Sequence, residues 1–103
     1  MSKEILLVVE SVSNEKGVSE DIIFDALEVA LATATQKRYS DEADIRVVID
    51  RETGMYDSFR RWTVIDDDTE VESEDAELTL TQVREMQLNL VAGDVHEIPI
   101  DSV

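Results

Sequence analysis

Eight of the twelve residues from 66 to 77 are Asp or Glu, and carboxylates at that density are the first candidates for ion chemistry. With Asp66 as position one, Asp68, Glu70 and Glu74 fall at three, five and nine, and Glu77 at twelve. That spacing imitates a calcium-binding helix–loop–helix loop. Position six must then be glycine to make the sharp turn, and here it is Val71. The residues before the run also alternate like a strand instead of repeating like a helix. A solvated acidic loop that takes up cations weakly is the better reading. An acidic ion-binding domain built on residues 66–77 stands as the alternative function.

Other catalytic chemistries lack their parts. His96 is the single histidine and there is no cysteine, so a zinc site needs carboxylates for most of its ligands, an unusual structural set. A Ser-His-Asp arrangement has to use His96, and no serine lies in a G-x-S-x-G turn. His96 reads as an exposed strand or turn residue. Three glycines form neither a phosphate-cradling loop nor a dinucleotide fingerprint. The many carboxylates have no apolar, concave setting that raises a pKa for acid–base work. The expectation is a non-enzymatic protein without metal or cofactor.

Recognition chemistry is better represented. In Phe59-Arg60-Arg61-Trp62, strand alternation puts Phe59 with Arg61 on one face and Arg60 with Trp62 on the other. Either one aromatic packs inward while the other covers the sheet, or an arginine flanks an aromatic at a docking site, where Arg and Trp are enriched. Lys37-Arg38 has two readings as well: cations at a helix C-terminus, or a small phosphate-facing patch.

Charge narrows the partners. Of the net charge of −16, residues 66–103 carry −11, whereas six of the nine basic residues lie between Lys37 and Arg61. Nucleic-acid affinity comes from counterion release by clustered cations, so such a chain repels bare RNA at long range. The length of 103 residues suits one domain with a modest core. No apolar run approaches the roughly 20 residues that span a bilayer, and residues 5–9 are too short and too closely flanked by charge for a signal peptide. Absence of cysteine agrees with a cytoplasmic protein.

These residues need elements to position them. Ile5, Val8, Val9 and Val12 form an apolar stripe that predicts a helix over about 3–13, widened by Leu6 and Leu7. A loop over 14–18 follows, stopped by Gly17. Ser19 is the expected N-cap of a second helix from 20 to 38 or 39, with Ile23, Leu27, Ala30, Leu31 and Ala34 on one face and Phe24 beside them. The period then changes to two. Ile45, Val47 and Ile49 mark a strand, residues 51–54 a turn, and 56–65 the return strand. Further along come a short strand at 78–80, a short helix through about Met86 with capping-box spacing at Thr79 and Gln82, and an edge strand at 95–100 holding Pro99.

In joint order and spacing, several segments resemble the N-terminal domain of the proteobacterial NusA family of transcription elongation factors. They are Lys3-Glu4-Ile5-Leu6 through Val12-Ser13-Asn14-Glu15-Lys16, Ala26-Leu27-Glu28 with residues 30–35, Lys37 and Tyr39, Ile49-Asp50-Arg51, Gly54, and residues 57–62. The match is strong over residues 1–66 and thinner through Gly93-Asp94. The resemblance implies an α+β fold: two N-terminal helices on a curved, mostly antiparallel, bifurcated sheet, with one further short helix. It implies that residues 1–103 are the N-terminal domain of a longer protein whose S1 and KH domains lie elsewhere. It implies a monomer, away from membranes, that docks on RNA polymerase near the RNA exit channel, at the tip helix of the β-subunit flap. Contact with the C-terminal domain of the α subunit is a further implication, and so is a role in pausing, termination and antitermination. Lys37 and Arg38 match a basic helix end that faces the nascent RNA hairpin within the polymerase complex, with Gln36 where the family often has another lysine. A flap-tip helix needs an apolar surface. Leu6, Leu7, Phe24, Leu27 and Leu31 are the candidates for it.

Overall fold

The computed structural model describes residues 2–101. Its elements are α1 (Ser2–Lys16), α2 (Glu20–Gln36), β1 (Asp44–Ile49), β2 (Tyr56–Ile65), β3 (Glu77–Thr79), α3 (Leu80–Glu85) and β4 (Val95–Ile100). The first and last two residues of the expected domain lie outside the described residues.

Helix α1 runs three residues past the expected end. Asn14, Glu15 and Lys16 add no apolar signal, but they continue the backbone ladder until Gly17, at φ 66°, donates its N–H to the Ser13 carbonyl at 2.9 Å. Only glycine takes that left-handed turn without strain. Ser19 does not cap α2 with its side chain. Only its carbonyl serves the helix, accepting the Ile23 N–H at 3.4 Å. Helix α2 also ends earlier than expected, at Gln36. Lys37 through Tyr39 form tight turns in which the Arg38 and Tyr39 N–H groups donate to Thr35 and Gln36 carbonyls. The two cations therefore stand just beyond the helix instead of in its last turn.

Strand β2 is the central beam of the sheet. It pairs antiparallel with β1 through residues 56–61, antiparallel with β4 through 58–63, and parallel with β3 through 63–65. A strand has two edges, and β4 overlaps both other partners, so β1 and β3 must share the opposite edge end to end. The sheet forks there. β4 is an outer strand, as Pro99 requires. Pro99 faces Phe59 at a pair not bonded across the ladder, so its missing N–H costs no sheet bond.

Register sorts the side chains. Ile45, Val47 and Ile49 share a face with Tyr56, Ser58, Arg60, Trp62 and the β4 residues His96, Ile98 and Ile100. Arg46, Phe59, Arg61 and Glu97 share the opposite face. Helix α2 packs over the β1 half of the first face, and α1 packs on α2. There Val9, Phe24, Val47 and Ile49 form the buried core, backed by half-buried Ile5, Leu6, Ile23, Leu27, Leu31 and Tyr56. Val8, expected on the packed stripe, is 51 % exposed. The core side of α1 runs through Ile5, Val9 and Val12, and Val8 falls on its flank. At the other end of β2, α3 lies against β2 and β3, where Val64 and Val83 are buried. The molecule is accordingly long, 51 × 22 × 21 Å.

Residues 66–76 form the expected loop, and the short strand sits one residue earlier than expected, with Leu80 opening α3. Two carboxylates of the run, Asp67 and Glu77, accept backbone N–H groups that hold the loop and the start of α3 in place. Glu77 accepts the N–H groups of Glu72 and Ser73, each at 2.8 Å. Asp67 accepts the Thr81 N–H at 3.0 Å and its hydroxyl at 2.8 Å, which holds the Asp67 carboxyl below its ordinary range. Among the described residues no three His, Asp or Glu side chains gather as a metal-holding group.

The capping box at the start of α3 is formed. The Thr79 hydroxyl accepts the Gln82 N–H, and the Gln82 side chain accepts the Thr79 N–H at 2.9 Å. Thr79→Ala removes one half of it. The expected cost is about 1 kcal/mol, measured as a lowered urea midpoint at unchanged m-value.

Candidate docking surfaces

Two surfaces collect the residues suited to recognition. The first belongs to the helical layer. Of the five apolar candidates, Phe24 is 2 % exposed and buried in the core, where the Arg51 guanidinium lies 5.0 Å from its ring centre. Leu6, Leu27 and Leu31 are half-buried against that core, and Leu7 is 65 % exposed. Val8 beside Leu7, and Ile22 and Val29 on α2, are further exposed apolar residues that the sequence did not single out as surface. Glu4, Ile5, Val8 and Leu27 line a small, almost wholly apolar groove of about 170 Å³ between the helices. Sequence reasoning missed Val8 because its spacing fits the buried stripe as well as Val12 does.

Arg51 fastens this layer to the β1–β2 turn. Its guanidinium reaches Asp21 at 3.1 Å, Asp25 at 2.8 Å and Glu28 at 3.7 Å, all on successive turns of α2. Asp50 shapes the turn itself, accepting the Glu52 and Thr53 N–H groups, while Gly54 takes φ 76°.

The second surface starts at the exposed Lys37 and Arg38. The next residue, Tyr39, is 43 % exposed, and its ring lies 5.2 Å from the Arg60 guanidinium. Arg60 also stands 4.7 Å from the Trp62 ring centre, and Trp62 stacks on His96 at 5.6 Å and 27°. A strip of Tyr39, Arg60, Trp62 and His96 thus crosses the sheet from the end of α2 to β4. Arg60 donates to the Asp75 carbonyl at 3.3 Å and approaches the Asp75 carboxylate at 3.7 Å. His96 is half-buried under this stack, more covered than its sequence setting suggested. Neither Phe59 nor Trp62 enters the buried core; both are half-buried with an arginine beside the ring, Arg46 at 4.6 Å from the Phe59 centre as Arg60 is at 4.7 Å from that of Trp62.

On that opposite face Glu97 binds two arginines. It accepts from Arg46 Nε at 2.9 Å and from Arg46 Nη2 at 2.6 Å, and Arg61 Nε stands 3.2 Å away. The Arg46 hydrogen bonds hold the Glu97 carboxyl below its ordinary 4.5, with the charges of Arg46 and Arg61 adding to this and burial opposing it. Neither face shows a nucleophile–base pair or an enclosed polar pocket among the described residues.

The family model for the NusA N-terminal domain matches residues 4–103. The transcription termination/antitermination protein NusA of Bacillus subtilis strain 168 is 33 % identical over 100 residues, which cover 97 % of this chain and 26 % of that protein. Its counterpart in Rickettsia conorii is 38 % identical over 64 residues, 62 % of this chain and 13 % of that one. The chain therefore spans about a quarter or less of the length of these relatives. The solution structure of the N-terminal domain of NusA from B. subtilis superposes with a TM-score of 0.68 at 32 % identity, covering 98 % of this chain and 79 % of the other. By sequence and by α+β architecture alike, the chain belongs to the NusA N-terminal domain family of transcription factors.

Proposed function

We propose that this domain docks a cytoplasmic transcription factor onto RNA polymerase near the RNA exit channel, at the tip helix of the β-subunit flap. It modulates pausing, termination and antitermination by position, without chemistry of its own. The observation that carries this reading is the apolar ground of the helical pair. Val8 is exposed where it lines the Glu4–Ile5–Val8–Leu27 groove, its sequence neighbour Leu7 is exposed as well, and Leu6, Leu27 and Leu31 are half-buried in the helical layer. An amphipathic helix binds by laying its apolar side in such a groove. Phe24 supports this ground from beneath, with no surface of its own to offer. Lys37 and Arg38 face the nascent RNA hairpin only within the complex, because a net charge of −16 opposes capture of free RNA. The C-terminal domain of the polymerase α subunit is a second contact, and the domain acts as a monomer.

Titration of the labelled domain with a flap-tip helix peptide, followed by calorimetry and NMR, tests the reading. Shifts should centre on Leu7, Val8 and Leu27. Leu7→Asp should weaken binding at least about tenfold, equivalent to about 1.4 kcal/mol, at an unchanged melting temperature. Equal affinity of the variant removes α1 from the interface. Absence of binding to both the peptide and intact polymerase overturns the function and leaves the fold standing.

A further inference from the structure

The free edge of β1 opens onto a groove that neither the fold nor the helix-docking surface uses. In the hairpin the Asp50 N–H donates to the Met55 carbonyl at 2.7 Å. Bonded and non-bonded pairs alternate along an antiparallel ladder, so the backbone groups of Ile45, Val47 and Ile49 point away from β2. Side chains of α2 close the two ends of this edge. Glu28 accepts the Ile49 N–H at 2.9 Å, and Gln36 donates to the Ala43 carbonyl at 2.7 Å. Between them, among the described residues, the N–H and C=O groups of Ile45 and Val47 have no hydrogen-bond partner, a narrow window that is half-exposed at Ile45 and nearly covered at Val47, 5 % exposed.

Two open grooves flank that window. One of about 540 Å³ lies at the fork of the sheet, where Ala76 approaches Ala43 and Asp44. One of about 290 Å³ continues beside Val47, and both share Val29, Ala32 and Ile45 as their apolar floor. Val29 is 67 % exposed there. Asp25 and Glu28 on the α2 rim are already paired with Arg51, so the uncompensated acidic charge lies on the other rim, at Glu42 and Asp44 before and in β1. Glu42 and Asp44 make no ion pair among the described residues, and the lone basic residue of the lining, Arg46, is held by Glu97 on the other face.

We propose that this edge receives an extended peptide segment of alternating apolar and basic residues, which adds a short strand to β1. Backbone pairing with Ile45 and Val47 supplies the register, Val29 and Ala32 receive the apolar side chains, and the acidic rim at Glu42 and Asp44 selects lysine or arginine. A second copy of this chain is the wrong occupant, because two molecules of net charge −16 repel. The site is separate from the α1–α2 groove, so the two readings stand or fall independently.

The test uses the ¹⁵N-labelled protein and a capped seven-residue peptide alternating valine and lysine. Shifts should be confined to Val29, Ala32 and residues 45–47, and amide exchange at Ile45 and Val47 should slow on binding. N-methylation of one alternate set of peptide amides should abolish binding while the other set is tolerated, since a paired strand offers only one edge. Asp44→Lys and Glu42→Lys, at exposed positions, should each weaken binding about fivefold, more at low salt than at high. Indifference to both methylated sets, equal binding of a valine–glutamate peptide, shifts centred on α1, or no binding at millimolar peptide each overturns the proposal.

Discussion

Phe24→Ala should lower the stability of this domain by about 3–5 kcal/mol, the cost of emptying a large aromatic site in a packed core. Phe24 is 2 % exposed and joins α2 to Val9 of α1 and to Val47 and Ile49 of β1. Its removal leaves a cavity among three elements that cannot all close on it. The Arg51 guanidinium above the ring also loses its partner, although its three α2 carboxylates remain. At about 4–8 °C per kcal/mol for a domain of this size, the melting temperature should fall by well over 10 °C. Small domains hold only about 5–15 kcal/mol in total, so the variant should be partly unfolded near 37 °C. In the proposed flap-tip titration, peptide binding by Phe24→Ala should then recover on cooling, whereas that of Leu7→Asp should not. A binding defect with an unshifted melting curve overturns the assignment of Phe24 to the core.

Glu97→Gln should have the second largest effect, and a pH dependence identifies its cause. Glu97 holds Arg46 through two hydrogen bonds and Arg61 through a third contact, on a half-buried sheet face. The amide keeps the shape but removes the negative charge that balances two guanidinium groups. Arg46 is 42 % exposed, so solvent screens the loss, and about 1–2 kcal/mol is expected at neutral pH. The folded carboxyl titrates below its unfolded counterpart. Its stabilisation is therefore complete above the unfolded value of about 4.3 and disappears as pH falls through the lower, folded one. Denaturant midpoints of wild type and variant should differ at pH 7 and converge under acid. Arg46 stays protonated throughout and adds nothing to the slope. A constant gap down to pH 2 means the amide disturbs packing instead of charge.

Much of this fold is legible in the sequence because local chemistry encodes it. The bounds of β2, the Asp50–Gly54 turn, the Thr79–Gln82 capping box and the edge position of Pro99 each follow from residues within a few positions of one another. The parallel strand β3 does not, because Glu77–Thr79 pairs with β2 across the acidic loop and three residues hold no period. The end of α1 escapes for a different reason. Residues 14–16 are polar, and their helicity comes from continuing a ladder until Gly17, which periodicity does not register. Among the exposed apolar candidates, Leu7 is legible as surplus to the buried stripe, whereas Val8 is not. The contact of Arg60 with Tyr39 joins residues brought together only by the packing of α2 on the sheet. The free window at Ile45 and Val47 depends on which side chains of α2 reach the edge, a property no linear pattern displays.

The forked sheet has a bearing on how this domain opens. The α1–α2–β1 body and the β3–α3 body occupy successive stretches of one edge of β2, and β2 with β4 alone runs past both. Either body can loosen while the other keeps its half of the beam. Native-state hydrogen exchange should therefore resolve two subglobal openings, one releasing the amides of Asp44, Arg46 and Val48 that bond to β2 together with α2, and one releasing α3 with the acidic loop. The β2 amides of residues 58–62 that bond to β4 should exchange only in global unfolding. The helical end and the far end of the domain would then behave as separately adjustable pieces on a common rigid strand.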